Sequence, residues 1–347
     1  MSNEMIASVM TGVRKLEMQK RPIPTPKDQE VLVKIKHVGV CGSDLHFYES
    51  GVLGTNIFKD PLVLGHESSG EVVSVGRDVK SLKVGDLVAL EPGVPCGKCD
   101  YCLSGKYNLC PDVAFMACPG YDGAFVEYVA WPEAWSFKLP DGMNTVEGAL
   151  IEPLNVGLHA VNQSEIKYGQ SAAILGSGCI GLCTLLSLKM AGVTEIYVVD
   201  VIQKRLDKAI ELGATAIING KENNAVDAIK ELTNGKGVDV CFETAGNKFT
   251  TQQTVEMIKR GGTVVLVGMS PDSHTPFPTT MLIDKEAKLN TIFRYRHLYP
   301  TAIKLVSNKL IPIQKIVSHT FNFRDIEEGI EFNVNNKAEV IKEVIEF

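Results

Sequence analysis

The chain has 347 residues, 45% hydrophobic and 22% charged, which sets an expectation of two domains and excludes wholesale disorder. A net charge of −6 gives no electrostatic reason to bind nucleic acid or an anionic bilayer. Nine cysteines, four of them crowded into residues 96–110 and with no apolar export segment in front, argue against a secreted disulfide framework and for a reducing, cytoplasmic protein.

In chain order, Pro22, Pro24 and Pro26 lead into short β segments. Residues 31–37 alternate, residues 70–75 are apolar and β-branched, and residues 86–90 follow a Val-Gly-Asp turn. Residues 168–188 carry no charge and are long enough to span a bilayer, but three glycines after a β-rich run read as strand, turn and helix. From about Ser171 apolar runs at 172–176, 195–200, 216–219, 238–246 and 262–268 alternate with helix-length segments such as 180–190 and 204–212. That rhythm predicts βαβ units around a parallel sheet buried on both faces. After about residue 291 short mixed elements return. The expected architecture is α/β: a mostly-β domain (1–155 and 292–347) interrupted by a doubly wound nucleotide-type domain (156–291).

Three constellations carry chemistry. Gly176-Ser177-Gly178-Cys179-Ile180-Gly181 matches G-x-G-x-x-G between a strand and an apolar helix, the context that makes the pattern a dinucleotide site. Asp200 ends the next strand, nineteen residues after Gly181. A carboxylate there accepts from ribose hydroxyls and repels a 2′-phosphate, so NAD is expected rather than NADP, although Lys204 and Arg205 lie nearby. Cys96, Cys99, Cys102 and Cys110, spaced two, two and seven apart, match a closed structural zinc site. An iron–sulfur cluster shares the opening of that pattern but continues with a shorter gap. Cys41, and further on Gly65-His66-Glu67, supply three ligands and leave a fourth position open, as a catalytic zinc requires. Adjacent His66 and Glu67 can meet one metal only from a turn, which Gly65 allows; a hydrogen-bonded His–Glu pair is the alternative.

These motifs, with GVCGSDLHFY, VLGHESSGEVVSVG and ALIEPLNVGLHA, stand in the order found in zinc-dependent medium-chain alcohol dehydrogenases, which the chain resembles over essentially its whole length. Glu67 directly after His66, the Ala149–Leu154 string and Phe293-Arg294-Tyr295 make it most similar to the sorbitol/xylitol (polyol) dehydrogenases. The resemblance implies a GroES-like domain with the catalytic zinc, a Rossmann domain with NAD and an active site in the cleft between them. It implies two zinc ions per chain, and that Cys41, His66 and Glu67 bind the catalytic one, with Glu152 ligating directly or through water. Ser43 and His46 resemble a proton relay, and Arg294 and Tyr295 would reach substrate hydroxyls in a pocket walled by Phe47 and Phe115. Phe293 would sit near the nicotinamide, with Ile180, Arg205, Val267, Gly268 and Met269 lining the cofactor. The implied activity is reversible, NAD-dependent oxidation of a sugar alcohol to its ketose by a homo-tetramer. A 2,3-butanediol or L-threonine type dehydrogenase on the same scaffold is the alternative, and a zinc-stabilised, non-catalytic nucleotide binder a more distant one.

Two positions depart from the polyol pattern. Phe47 stands where tyrosine is common, unless the neighbouring Tyr48 compensates, and Ala117-Cys118-Pro119-Gly120 replaces an Ala-Thr-Pro-Pro string. Both put the identity of the polyol in question.

Overall fold

The computed structural model describes residues 3–54, 56–270 and 274–347. Two compact units divide the chain: Met1–Glu152 with Tyr299–Phe347, and Pro153–Leu298. The return to the first unit falls later than the expected residue 292. The Lys288–Thr291 strand continues the ladder of the second unit through the Ile292 N–H, which donates to the Leu266 carbonyl at 3.2 Å, and the next element is the helix Tyr299–Ser307.

The first unit is built on a seven-stranded sheet with Glu30–Val40 at its centre. This strand pairs antiparallel with Glu67–Val75 along one edge. Its other edge is shared, Tyr128–Pro132 taking the first half and Glu343–Glu346 the second. The C-terminal segment is thereby laid beside the strand that leads into Cys41. Val33, Ile35, Val38, Leu64, Phe125 and Ile345 form part of one apolar core. A further element was not foreseen from the sequence. Glu4–Gly12 and Lys15–Pro22 form an antiparallel hairpin whose first strand also pairs with Leu62–Val63. Leu16 is the one buried residue of Lys15–Pro22 and charged side chains stand on both faces, so the strand lacks the apolar alternation that would mark it in the sequence.

The second unit holds a six-stranded parallel sheet. Counted within the unit, its strands run 3-2-1-4-5-6, so the order reverses beside Ser171–Leu175. In such sheets ligands bind past the carboxyl ends of the strands at the reversal. The strands Glu195–Asp200 and Ala216–Asn219 coincide with the apolar runs read from the sequence. The uncharged stretch expected to fold as strand, turn and helix does so, as Ser171–Leu175 followed by the helix Cys179–Met190. Among the described residues no helix is long and apolar enough to cross a membrane.

Candidate active site

In the first unit, Cys41 caps the helix Gly42–Ser50, at the start of which its side chain is held. The backbone turns at Gly65 (φ +86°), so His66 and Glu67 enter from an irregular segment. Glu67 opens its strand opposite Gly39, where an added Cβ would stand 2.1 Å from Glu67 Oε2. The donor atoms of Cys41, His66 and Glu67 lie within 4.8 Å of one another. A sulfur, an imidazole and a carboxylate at that separation fit one zinc ion with a position to spare.

A carboxylate that the sequence reading did not single out organises this group. Asp44 is buried; its Oδ2 accepts from the Cys41 N–H and its Oδ1 from the Gly65 N–H, each at 3.0 Å. Asp44 Oδ1 also stands 3.4 Å from His66 Nδ1, which leaves Nε2 as the ring's metal donor. Burial alone raises the Asp44 pKa, but His66 and the two amides outweigh it and hold the carboxyl below its ordinary value. Burial likewise works against a protonated His66, and Asp44 and Cys41 overcome it, raising the ring's pKa well above normal. The pocket thus favours a positive charge where the metal fits. The sequence signal was present: Asp three residues after Cys41 is the reciprocal half of a capping box.

The remaining predicted residues fall into distinct environments. Glu152, in the first turn of Ile151–Ser164, is buried but is not part of the three-donor group. Burial pushes the nearby Glu91 carboxyl up to about 8 against the lowering hydrogen bond from Tyr107, and the Glu152 charge adds to the rise. Ser43 is half-buried and His46 exposed, three residues apart on one helix. The Phe115 ring lies 5.7 Å from that of His66. Phe47 and the departing turn share one wall. Phe47, Phe58, Leu62, Pro119, Gly120 and Tyr121 line a cavity of about 300 Å³. Tyr48 does not replace a missing hydroxyl there: it is buried and donates to Glu331 Oε1 at 2.8 Å.

The four-cysteine lobe holds its sulfurs together without a disulfide, all four being free thiols within 4.8 Å. Cys99 and Cys102 Sγ are 3.4 Å apart and Cys96 and Cys102 Sγ 4.0 Å. A tetrahedral zinc with bonds of about 2.3 Å requires roughly 3.8 Å between sulfurs, so the lobe fits that ion. Backbone N–H groups of Lys98 and Cys99 pull the Cys96 thiol down toward its thiolate.

In the second unit, Gly176 (φ +101°) makes the turn after its strand, and a Cβ on Gly181 would stand 1.9 Å from the Gly176 carbonyl. Gly178 faces open space, the nearest group to an added Cβ being the Arg205 guanidinium at 3.9 Å, and it caps the helix whose N-terminus suits a pyrophosphate. Asp200 is buried and accepts from the N–H groups of Ser177 (2.6 Å), Val201 (2.7 Å) and Ile202 (2.9 Å). It therefore anchors the glycine turn. Glu243 was missed in the sequence. Its carbonyl accepts from Val267 and Gly268 N–H at 2.9 Å, and its carboxylate from Ala245 and Gly246 N–H and the Thr250 hydroxyl. Burial raises the Glu243 pKa despite those bonds. Ile180 is half-buried and Met269 and Phe293 are exposed, while Tyr295 is buried. The Arg294 guanidinium packs over the Phe293 ring at 4.7 Å, from a left-handed backbone (φ +55°) that non-glycine residues seldom adopt.

Comparison with known proteins agrees with this geometry. Residues 27–141 match the family model "Alcohol dehydrogenase GroES-like domain" and residues 179–308 "Zinc-binding dehydrogenase". The chain is 47% identical over 328 residues, 93% of each chain, to the uncharacterized zinc-type alcohol dehydrogenase-like protein YdjJ of Escherichia coli. It is 39% identical to the sorbitol dehydrogenase of Bacillus subtilis, over 98% of this chain and 97% of that one. A zinc-binding dehydrogenase structure from Sinorhizobium meliloti, bound to NADP, superposes with a TM-score of 0.92 at 30% identity over the full length of both chains. Zinc and a nicotinamide cofactor accompany these relationships. Joined to a GroES-like unit, a Rossmann-type parallel sheet and the two donor groups, they show that the chain belongs to the zinc-containing medium-chain alcohol dehydrogenases, in the sorbitol/xylitol (polyol) branch.

Proposed function

We propose that the protein is an NAD-dependent polyol dehydrogenase that reversibly oxidises a secondary alcohol of a sugar alcohol, of the sorbitol, xylitol or L-iditol type, to the ketose. The observation that carries this reading is the Cys41–His66–Glu67 group, three donors within 4.8 Å of one another, to which no fourth His, Cys, Asp or Glu among the described residues adds. Cys41, His66 and Glu67 would hold a zinc ion, which would supply Lewis acidity toward an alcohol near neutral pH, and a nicotinamide cofactor would supply the hydride chemistry. The four lobe cysteines would hold a second, structural zinc.

The chain's own residues do the rest. Glu152, outside the compact donor group, acts through water, and Ser43 with His46 carries the proton outward. Arg294, a rigid fork of donors held against Phe293, binds vicinal hydroxyls with Tyr295. Phe47 and Phe115 exclude water at the reacting end. Asp200 supports NAD over NADP by its carboxylate at the end of its strand, and Ile180, Arg205 and the Val267–Met269 turn line the cofactor. We further propose a homo-tetramer in the cytoplasm; nine free cysteines suit a reducing compartment, and light scattering checks the assembly.

The test is NADH formation at 340 nm across sorbitol, xylitol, L-iditol, 2,3-butanediol and L-threonine, with NAD and NADP, before and after chelation. Chelator-sensitive polyol activity with NAD is the expected result. Activity confined to butanediol or threonine overturns the substrate. Polyol kinetics unchanged in Arg294→Ala would remove that residue from the site.

A further inference from the structure

Lys342 is an unusual neighbour for a candidate metal ligand. Its side chain is 2% exposed and that of Glu67 1%, and its ammonium lies 2.5 Å from Glu67 Oε2. The same nitrogen donates to the Val40 carbonyl at 2.8 Å, one residue before Cys41. The contact is built by three strands. Gly39 faces Glu67 on one side and Val344 on the other, and the missing Cβ leaves the space that the carboxylate and the lysine stem fill. A Cβ at Gly39 would stand 2.1 Å from Glu67 Oε2 and 2.9 Å from Lys342 Cε.

A buried ammonium is costly unless paired, and this one is paired with the only ligand of the group that has two equivalent donor atoms. A free carboxylate can close on a metal through both oxygens and fill the position a substrate needs. We propose that Lys342 is a positioning residue. By holding Oε2, it confines Glu67 to ligation through one oxygen and keeps a coordination position open for the substrate alcohol. Charge points the same way: a thiolate and a carboxylate already neutralise a divalent ion, and a fixed cation behind the carboxylate weakens its donation and preserves the ion's acidity. This inference rests on the proposed assignment of Cys41, His66 and Glu67 as ligands.

The experiment compares wild type, Lys342→Met, Lys342→Gln and Lys342→Arg as zinc- and cobalt-loaded full-length proteins. Readouts are zinc retention against a chelator, the visible spectrum of cobalt at the site, and kcat and KM. Gln removes the charge but can still donate to Val40, so it carries the test if Met prevents folding. Both neutral variants should turn the intense bands of four-coordinate cobalt into the weaker ones of five-coordinate cobalt. They should also change zinc retention by about 10–100-fold, the usual scale for a group behind a ligand, and lower kcat with the KM for NAD unmoved. Lys342→Arg should restore the wild-type spectrum. A wild-type cobalt spectrum and wild-type zinc retention in Lys342→Gln overturn the role of Lys342 alone. A wild-type protein that holds zinc only in the lobe overturns the functional reading, and this inference with it.

Discussion

Asp44 Oδ1 stands 3.4 Å from His66 Nδ1 while the same carboxylate accepts the N–H groups of Cys41 and Gly65. One buried side chain thus fixes the ring tautomer of one candidate ligand and the backbone of another. Asp44→Asn keeps the shape but must turn an NH₂ toward an N–H. Zinc affinity at this site should fall about 10–100-fold, with a stability loss of about 1–3 kcal/mol from the unmatched donor. Chelator competition and thermal unfolding measure the two effects; wild-type values in both would falsify the arrangement.

Glu343 offers a pH test in the same unit. It is fully buried, Asn333 Nδ2 donates to its Oε2 at 2.8 Å, and Lys342 is the neighbouring charge. Burial dominates and raises its pKa from 4.5 to about 7. The folded state therefore holds a proton that the unfolded state has released. Its stabilising contribution is complete below pH 4.5 and is lost as pH rises through about 7. Glu343→Gln should remove that dependence and gain about 1–3 kcal/mol relative to wild type at pH 8 compared with pH 4.5. Urea unfolding at the two pH values decides it, and parallel pH profiles would exclude the effect.

Asp200 couples cofactor choice to the shape of the glycine turn, since its carboxylate accepts the Ser177 N–H. Asp200→Ser should lower kcat/KM for NAD and shift the NADP-to-NAD ratio at least about tenfold toward NADP, near 1.4 kcal/mol. Steady-state kinetics with both cofactors measure it. A ratio that does not move would detach Asp200 from the ribose.

The cysteine lobe should behave as a separately removable part. Cys102→Ser should halve the zinc content and open residues 96–110 to trypsin at Lys98 or Lys106, with the Cys41 group still loaded. Metal analysis and mass spectrometry of the digest follow both. Full zinc retention with an uncut lobe would contradict the assignment.

What could be read from the sequence was what short spacing encodes. The glycine turn, the strands Glu195–Asp200 and Ala216–Asn219, and the cysteine repeat each depend on neighbours within a few residues. Lys342 and Glu243 act through strand neighbours or loops, and nothing around them marks a partner. Tyr48 is the clearest case: its hydroxyl looked available for substrate until Glu331, 283 residues away, was found to accept from it. The shared cavity wall of Phe47 and Pro119 is equally a property of tertiary structure.

The crowding at Gly39 reaches beyond a single chain, into how this site can vary. Glycine is obligatory there only while a long, laterally held carboxylate occupies position 67. Gly39→Ala would relieve its clash by displacing the Glu67 oxygen, so the penalty should register in metal occupancy more than in folding. A shorter donor at 67, such as cysteine, would vacate that space and free position 39 to take a side chain. Residues 39 and 67 should therefore change together among descendants of this fold, with the residue at 342 following the charge at 67.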